Sequence, residues 1–269
     1  MAFSQGNVVT TGVTGFKGGK DATEACFNSA SGLFAGLQPF GMLSGTQDMQ
    51  GTFGSDKWKA ADWLITAIGG AGTTLVPAQT YPSVATFVTR ATADNDGYNI
   101  QWSMDGGTTT SNIFIPTANT IIVGYCRYKI DNASTDAHTK GRVHWGLTED
   151  DTGVHASDED TIEFYKASAA ATSVGRIAND GTASDTSALA SSLADNTYIQ
   201  QGFRVNGVTS IEFWQGASTT IGGMSREATQ TTVTNIPTET MGLFFEGQTS
   251  EAVAQTFSIQ HLVAFQEAM

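Results

Sequence analysis

The segment "SDEDTIEFYK", residues 157–166, carries the most suggestive chemistry in the chain. If it is a strand, Glu159, Thr161 and Glu163 share one face, because successive side chains alternate. Two carboxyl groups on one face are what glycoside cleavage uses, set roughly 5–10 Å apart as acid and nucleophile or base. The competing reading makes Glu163 the outward polar partner of Ile162 and Phe164. Thr161 between the two acids weakens the pair, so no catalytic residue is assigned.

The four histidines are His138, His144, His155 and His261. His144 and His155 flank "WGLTEDDTGV", and Glu149, Asp150 and Asp151 could add oxygen ligands. A metal site needs at least three converging donors. The spacing favours a solvated acidic loop between strands. An ion site is the alternative, and its oxygen-rich donors would favour Ca²⁺ over Zn²⁺. No metal ligand and no cofactor is assigned. His261, on an apolar face, is expected to be a hydrogen-bonded core residue. "TADNDGYN", 92–99, lacks the Glu that closes an EF-hand loop and reads as a tight turn at Asp96-Gly97. "GGAGTT", 69–74, lacks the Lys of a phosphate loop.

Sugar binding needs aromatic faces. Trp102, Trp145, Trp214, Tyr165 and Tyr198 are the candidates. Trp214 and Tyr165 are the two retained as possible surface contacts. Trp214 alternates with Phe213 and is expected on the outer face of its sheet, against a sugar or a protein.

These residues need elements to hold them. "SDKWKAADWLITAIGG", 55–70, reads as a short helix over 56–68: Ser55 caps it, and Trp58, Ala61, Ile65 and Ile68 form a stripe. After residue 80 the pattern is strands and turns. "TIIVGYCRYKID" is hydrophobic on both faces and reads as a central strand, with Cys126 packed as an apolar residue. "SVGRIA" and "TSALAS" flank "NDG", and "YIQQGFRV" and "TSIEFWQG" flank Asn206-Gly207; both are hairpin signals. Phe203, Val205, Ile211 and Phe213 are expected in the core. In the last strand Phe257, Ile259, His261, Val263 and Phe265 share a face, with Leu262 as the exception. Many short strands without intervening helices mean a β-sandwich or barrel.

The chain has 269 residues, 14% of them charged, against about 25% in an average soluble domain. Its net charge of −13 falls almost entirely after residue 80. An acidic body disfavours nucleic acid and anionic lipid, which need Lys and Arg to neutralise phosphates. No apolar run is long enough to span a membrane. The N-terminus lacks a basic segment followed by an apolar run, so synthesis in the cytoplasm without a signal peptide is expected. Residues 1–55 are Gly/Thr/Ser/Phe-rich without a sustained period and read as an extended arm, or as a loop layer of the same domain.

"YIQQGFRVNGVTSIEFWQG", "IPTETMGLFFEG" and "QTFSIQHLVAFQEAM" resemble the C-terminal half of concanavalin A/laminin-G-like jelly rolls, over roughly 120–269. In retaining β-sandwich glycosidases of similar pattern, the place of Thr161 is held by an acid. The Thr/Ser/Ala/Gly-rich composition also resembles jelly-roll structural proteins of tailed bacteriophages. The resemblances imply an all-β, antiparallel jelly-roll sandwich over 81–269, after an N-terminal arm and accessory segment over 1–80. They imply a non-enzymatic virion protein that decorates a capsid, as a cement protein does. Its partners would be the major capsid protein and its own copies, as a homo-oligomer with a trimer favoured, on the capsid surface. Phe34, Phe40, Met42 and Phe53 would be the arm's contacts. A carbohydrate-binding module or adhesin on a phage head or tail fibre is the alternative, and a glycosidase or lyase of the same fold a third reading.

Overall fold

Alternating apolar and polar residues need a sheet with one face in the core, and the chain forms two such sheets. The computed structural model describes residues 57–60, 63–69, 85–89, 94–102, 112–132, 136–149, 155, 159–217 and 223–268. In chain order the strands are β1 (Lys57–Ala60), β2 (Trp63–Ile68), β3 (Ala85–Val88), β4 (Gly97–Trp102) and β5 (Thr120–Asp131). One short helix, α1 (Ala137–Lys140), precedes β6 (Gly141–Thr148). There follow β7 (Thr161–Lys166), β8 (Val174–Asn179), β9 (Thr182–Asp185), β10 (Ile199–Asn206) and β11 (Ser210–Gly216). β12 (Ser225–Gln230), β13 (Gly242–Thr249) and β14 (Thr256–Ala268) complete the fold.

An eight-stranded sheet has the order β1-β2-β4-β13-β6-β7-β8-β9, and a six-stranded sheet the order β12-β11-β10-β5-β14-β3. Neighbouring strands pair antiparallel throughout. This is a concanavalin A-like jelly-roll sandwich, the expected fold. No helix among the described residues is long and apolar enough to cross a membrane.

The expected helix over 56–68 is not formed. Its residues make β1 and β2, a hairpin at the edge of the eight-stranded sheet, and β2 pairs with β4. The neighbours Leu64 and Ile65 are both buried, at 3% and 1% exposure. In β2 these neighbours point to opposite faces, Ile65 into the inter-sheet core and Leu64 away from it, so both faces of the strand are covered, and pairing with β4 fixes the strand. The eight-stranded sheet therefore begins before residue 81. The arm residues Phe34, Phe40, Met42 and Phe53 lie outside the described residues.

The inter-sheet core is aromatic at its centre. Trp145 of β6 stacks on Phe164 of β7, with centroids 5.1 Å apart. Phe164 meets Phe213 of the other sheet edge-on at 5.2 Å. Phe203, Val205, Ile211 and Phe213 are all buried, as expected of the β10–β11 hairpin. β5 is central, between β10 and β14, and Cys126 is buried and free. A polar chain crosses this core. Trp145 Nε1 donates to Gln201 Oε1 at 2.7 Å, and Gln201 Nε2 donates to Ser173 Oγ at 3.0 Å and to Gln215 Oε1 at 2.5 Å.

Turn chemistry fits the sequence with local shifts. Asp180 and Gly181 both have positive φ, 46° and 74°, the two-residue turn that joins twisted strands without splaying them. The return strand is therefore Thr182–Asp185, which directly follows the turn, rather than "TSALAS". In the other hairpin Asn206 pairs with Ser210, so the loop is Gly207-Val208-Thr209, and Gly207 takes φ 58°. The turn before β4 sits at Asp94-Asn95, with Asn95 at φ 59°, two residues earlier than read from Asp96-Gly97. In β14 the register shifts between Ile259 and His261. This bulge puts Leu262 into the core at 2% exposure and explains why it broke the alternation. The His261 side chain lies outside what is described.

Candidate functional site

Strand register builds the site. β6 and β7 pair so that His144 stands opposite Tyr165 and Gly146 opposite Glu163. His144 and Glu163 are thus diagonal neighbours on one face, within reach of each other. Trp145 and Phe164, the alternate residues, fill the core, so His144, Glu163 and Tyr165 occupy the outer face of the eight-stranded sheet. β13 and β8 extend this face, placing Glu246 beside His144 and Arg176 beside Glu163.

Gly146 makes the close approach possible. Its φ is 152°, and a Cβ there would lie 2.1 Å from the Ile162 carbonyl oxygen and 2.8 Å from Glu163 Cα. Only glycine lets β7 lie this close to β6 at the level of Glu163.

Glu163 is at 0% exposure. Its Oε2 lies 2.9 Å from His144 Nδ1 and 3.3 Å from His155 Nε2. Its Oε1 is buried without a hydrogen-bond partner, and the nearest cation, Arg176 Nη1, is 3.7 Å away. His155 enters from the segment between β6 and β7. Its ring stacks on Phe244 at 5.1 Å, and its Nδ1 is 3.6 Å from Glu159 Oε2. Its backbone N–H donates to Glu246 Oε2 at 2.9 Å. Glu246 is itself held by Asn99 Nδ2 at 3.1 Å and Gln248 Nε2 at 2.8 Å. Thr148 Oγ1 donates to Glu159 at 3.1 Å.

Burial alone would raise the Glu163 carboxyl, but the imidazoles of His144 and His155 outweigh it and hold the group well below the ordinary carboxylate range. Burial alone would lower His155, but Glu163, Glu159 and Glu246 outweigh it and hold the ring up to about 10. Glu163 is thus a buried anion and His155 a buried cation.

Beside this cluster Tyr165 stacks on His144, with centroids 4.6 Å apart and planes inclined by 27°. The Arg176 guanidinium lies 4.3 Å over the Tyr165 ring. Its orientation is fixed by two bonds to Asp185, Nε to Oδ1 at 2.7 Å and Nη2 to Oδ2 at 2.9 Å. The arrangement offers an oriented imidazole, a buried carboxylate and a cation on one surface, with the Tyr165 ring held between the imidazole and the cation. With Nδ1 donating to Glu163, His144 keeps Nε2 as its basic nitrogen.

Several residues singled out from sequence meet here. Glu159, Glu163, His144, His155 and Tyr165 form one site instead of two. Asp150 and Asp151 lie outside the described residues; among those described, Glu163 and not Glu149 supplies the carboxylate next to both histidines. Trp214 does not form a surface contact. It points away from the inter-sheet core yet is only 1% exposed. Trp145 is core, and Tyr198 packs under Arg127. Arg176, Glu246 and Asn99 were missed. The alternation of "VGRIAN" and "GLFFEGQT" puts Arg176 and Glu246 on a polar face, but only strand order brings them together.

No protein-family model matches the sequence, and no curated protein matches it. Solved structures share the fold. The exoplasmic/lumenal domain of VIP36, in a Ca²⁺/Man-bound form, matches with a TM-score of 0.51 at 8% identity, covering 77% of this chain and 84% of that one. Lectin II from Ulex europaeus matches at 0.50 and 9% identity, covering 80% and 97%. An alginate lyase from Corynebacterium sp. matches at 0.47 and 14% identity, covering 77% and 95%. These likenesses concern the jelly roll. Alginate lyases are matched as well as lectins, so the expectation of a non-enzymatic chain, drawn from the fold resemblance, does not stand.

Proposed function

We propose that the chain is a carbohydrate-active jelly-roll protein. A glycan lies along the outer face of the eight-stranded sheet; His144 Nε2 takes the proton of an attacking water as its oxygen bonds the anomeric carbon and returns that proton to the departing glycosidic oxygen, while Glu163 holds the ring. The observation that carries this reading is the wholly buried Glu163 carboxylate bonded to His144 Nδ1 at 2.9 Å. A buried carboxylate in that position holds the ring in one orientation and leaves Nε2 as a general base. Tyr165, held between His144 and Arg176, fixes both, and Arg176 gives the adjoining surface a donor for sugar hydroxyls.

The charge of the face bears on the substrate. Glu159, Glu163, Glu246 and Asp185 outnumber Arg142 and Arg176, on a chain of net charge −13. A polyanionic chain would be repelled, so a neutral glycan is the proposed class. The fold supports the reading, since lectin II and the Man-bound VIP36 domain share it.

The resemblance to tailed-phage jelly rolls supports a particle-borne protein that presents this face to a host-surface glycan. Contact with the major capsid protein through Phe34, Phe40, Met42 and Phe53, and assembly as a homo-oligomer, belong to the same proposal. Deleting residues 1–55 is then expected to abolish co-sedimentation with phage particles; undiminished sedimentation counts against the arm.

Purified full-length chain is expected to release reducing ends from at least one member of a panel of neutral bacterial polysaccharides. His144→Ala should reduce that rate by about 100-fold or more while glycan retention changes little. A wild type that cleaves none of the panel, or an equally active His144→Ala, overturns the reading.

A further inference from the structure

We propose that His144, His155 and Glu163 together hold one divalent transition-metal ion of the zinc type. The proposal rests on the reading of this cluster as a centre of chemistry and gives it a cofactor; with an ion in place, His144 Nδ1 would bind it instead of donating to Glu163, and the metal would take over the orienting of the ring.

Three potential ligand atoms, one from each residue, lie within 4.8 Å of one another. His144 Nδ1 and His155 Nε2 are 2.9 and 3.3 Å from Glu163 Oε2. Ligands bonded at about 2.0–2.1 Å to a tetrahedral ion sit about 3.3 Å from each other. The two separations to Glu163 Oε2 are thus within tenths of an ångström of a tetrahedral spacing, and the two imidazole nitrogens, no more than 4.8 Å apart, would close on the ion.

A second observation points to a missing partner. Glu163 is at 0% exposure, yet its Oε1 has no hydrogen bond. Arg176 Nη1, at 3.7 Å, lies outside hydrogen-bond range. Buried charged groups are ordinarily satisfied, and an ion held by both oxygens of the Glu163 carboxylate would satisfy this one. The local charge agrees: Glu159, Glu163 and Glu246 surround the rings, and Arg176 is already committed to Asp185.

The donors are also pre-positioned. Tyr165 fixes one imidazole by stacking, Phe244 fixes the other, and the Glu246 bond anchors the His155 backbone. Two imidazoles with one carboxylate are a nitrogen-rich set, suited to Zn²⁺ or Co²⁺. Ca²⁺ takes six to eight oxygens and is not matched. Three protein ligands leave a fourth position for water or a sugar hydroxyl.

The test uses the full chain, stripped with EDTA and dialysed. Titration with ZnCl2 in a calorimeter should show one ion per chain, and Co²⁺ should give the visible absorption of a four- or five-coordinate centre. His155→Ala and Glu163→Gln, checked for folding by circular dichroism, should bind Zn²⁺ about 100-fold or more weakly. CaCl2 should not displace the metal. A wild type with no Co²⁺ spectrum and no Zn²⁺ uptake overturns the proposal, as does uptake equally strong in both variants. The outcomes separate from those of the glycan reading. Cleavage without metal uptake removes the ion alone; metal uptake without cleavage or glycan retention removes only the glycan reading.

Discussion

Glu163→Gln is expected to lower the stability of the folded chain by about 3 kcal/mol near neutral pH. The substitution keeps the shape and removes the anion between two imidazoles, so His155 loses its nearest counter-charge inside the protein. Urea denaturation in the presence of EDTA measures the loss without any contribution from metal. A midpoint equal to that of wild type would show that the cluster contributes nothing to folding.

The same difference should depend on pH in a defined way. The Glu163 carboxyl is held below its unfolded value of 4.5, so its contribution is present above that pH and is lost as pH falls towards the folded value. His155 is held above its unfolded value of 6.5, so its contribution is complete below 6.5 and is lost as pH rises through about 10. Wild type and Glu163→Gln should therefore differ most between about pH 4.5 and 6.5 and converge towards pH 10. A difference that grows above pH 8 would contradict this pairing.

Gly146→Ala is expected to cost more still, about 4 kcal/mol or more, and to abolish the site. The added methyl would meet the backbone of β7, and a backbone cannot rotate away as a side chain can. β6 and β7 must then separate, which breaks the His144–Glu163 contact and the Trp145–Phe164 stack together. Gly207→Ala is the control. It also has positive φ, but it lies in a loop and its Cβ would come 3.0 Å from the Thr117 carbonyl, so about 1 kcal/mol is expected. Thermal melts of the two variants give the comparison. Equal losses would mean that the β6–β7 approach is not limiting.

These positions also show what the sequence discloses and what it conceals. The jelly roll was legible because alternation survives in single strands: Phe203 and Val205 inward, Ile162 and Phe164 inward, Glu163 outward. The helix over 56–68 was misread because its apolar spacing satisfies two periods, and only pairing with β4 decides between them. The site was legible in parts. Glu159 with Glu163, and His144 with His155, each appeared as weak candidates a few residues apart. Their union depends on strand register and on where the chain between β6 and β7 places His155, and neither is written in local pattern. Trp214 was misjudged for a related reason: facing away from the inter-sheet core does not make a side chain exposed.

The polar chain from Trp145 through Gln201 has a mechanical meaning. Two sheets held only by greasy side chains can shear past each other at little cost, since one aliphatic contact replaces another. A directional bond between the indole of one sheet and the amide of the other indexes them like a dowel. Trp145 is the neighbour of His144 along β6, so the dowel sits directly beneath the candidate site. Pulling or heating should therefore let the sandwich slip at its margins before this point, and the chemistry on the outer face keeps its alignment until the dowel shears.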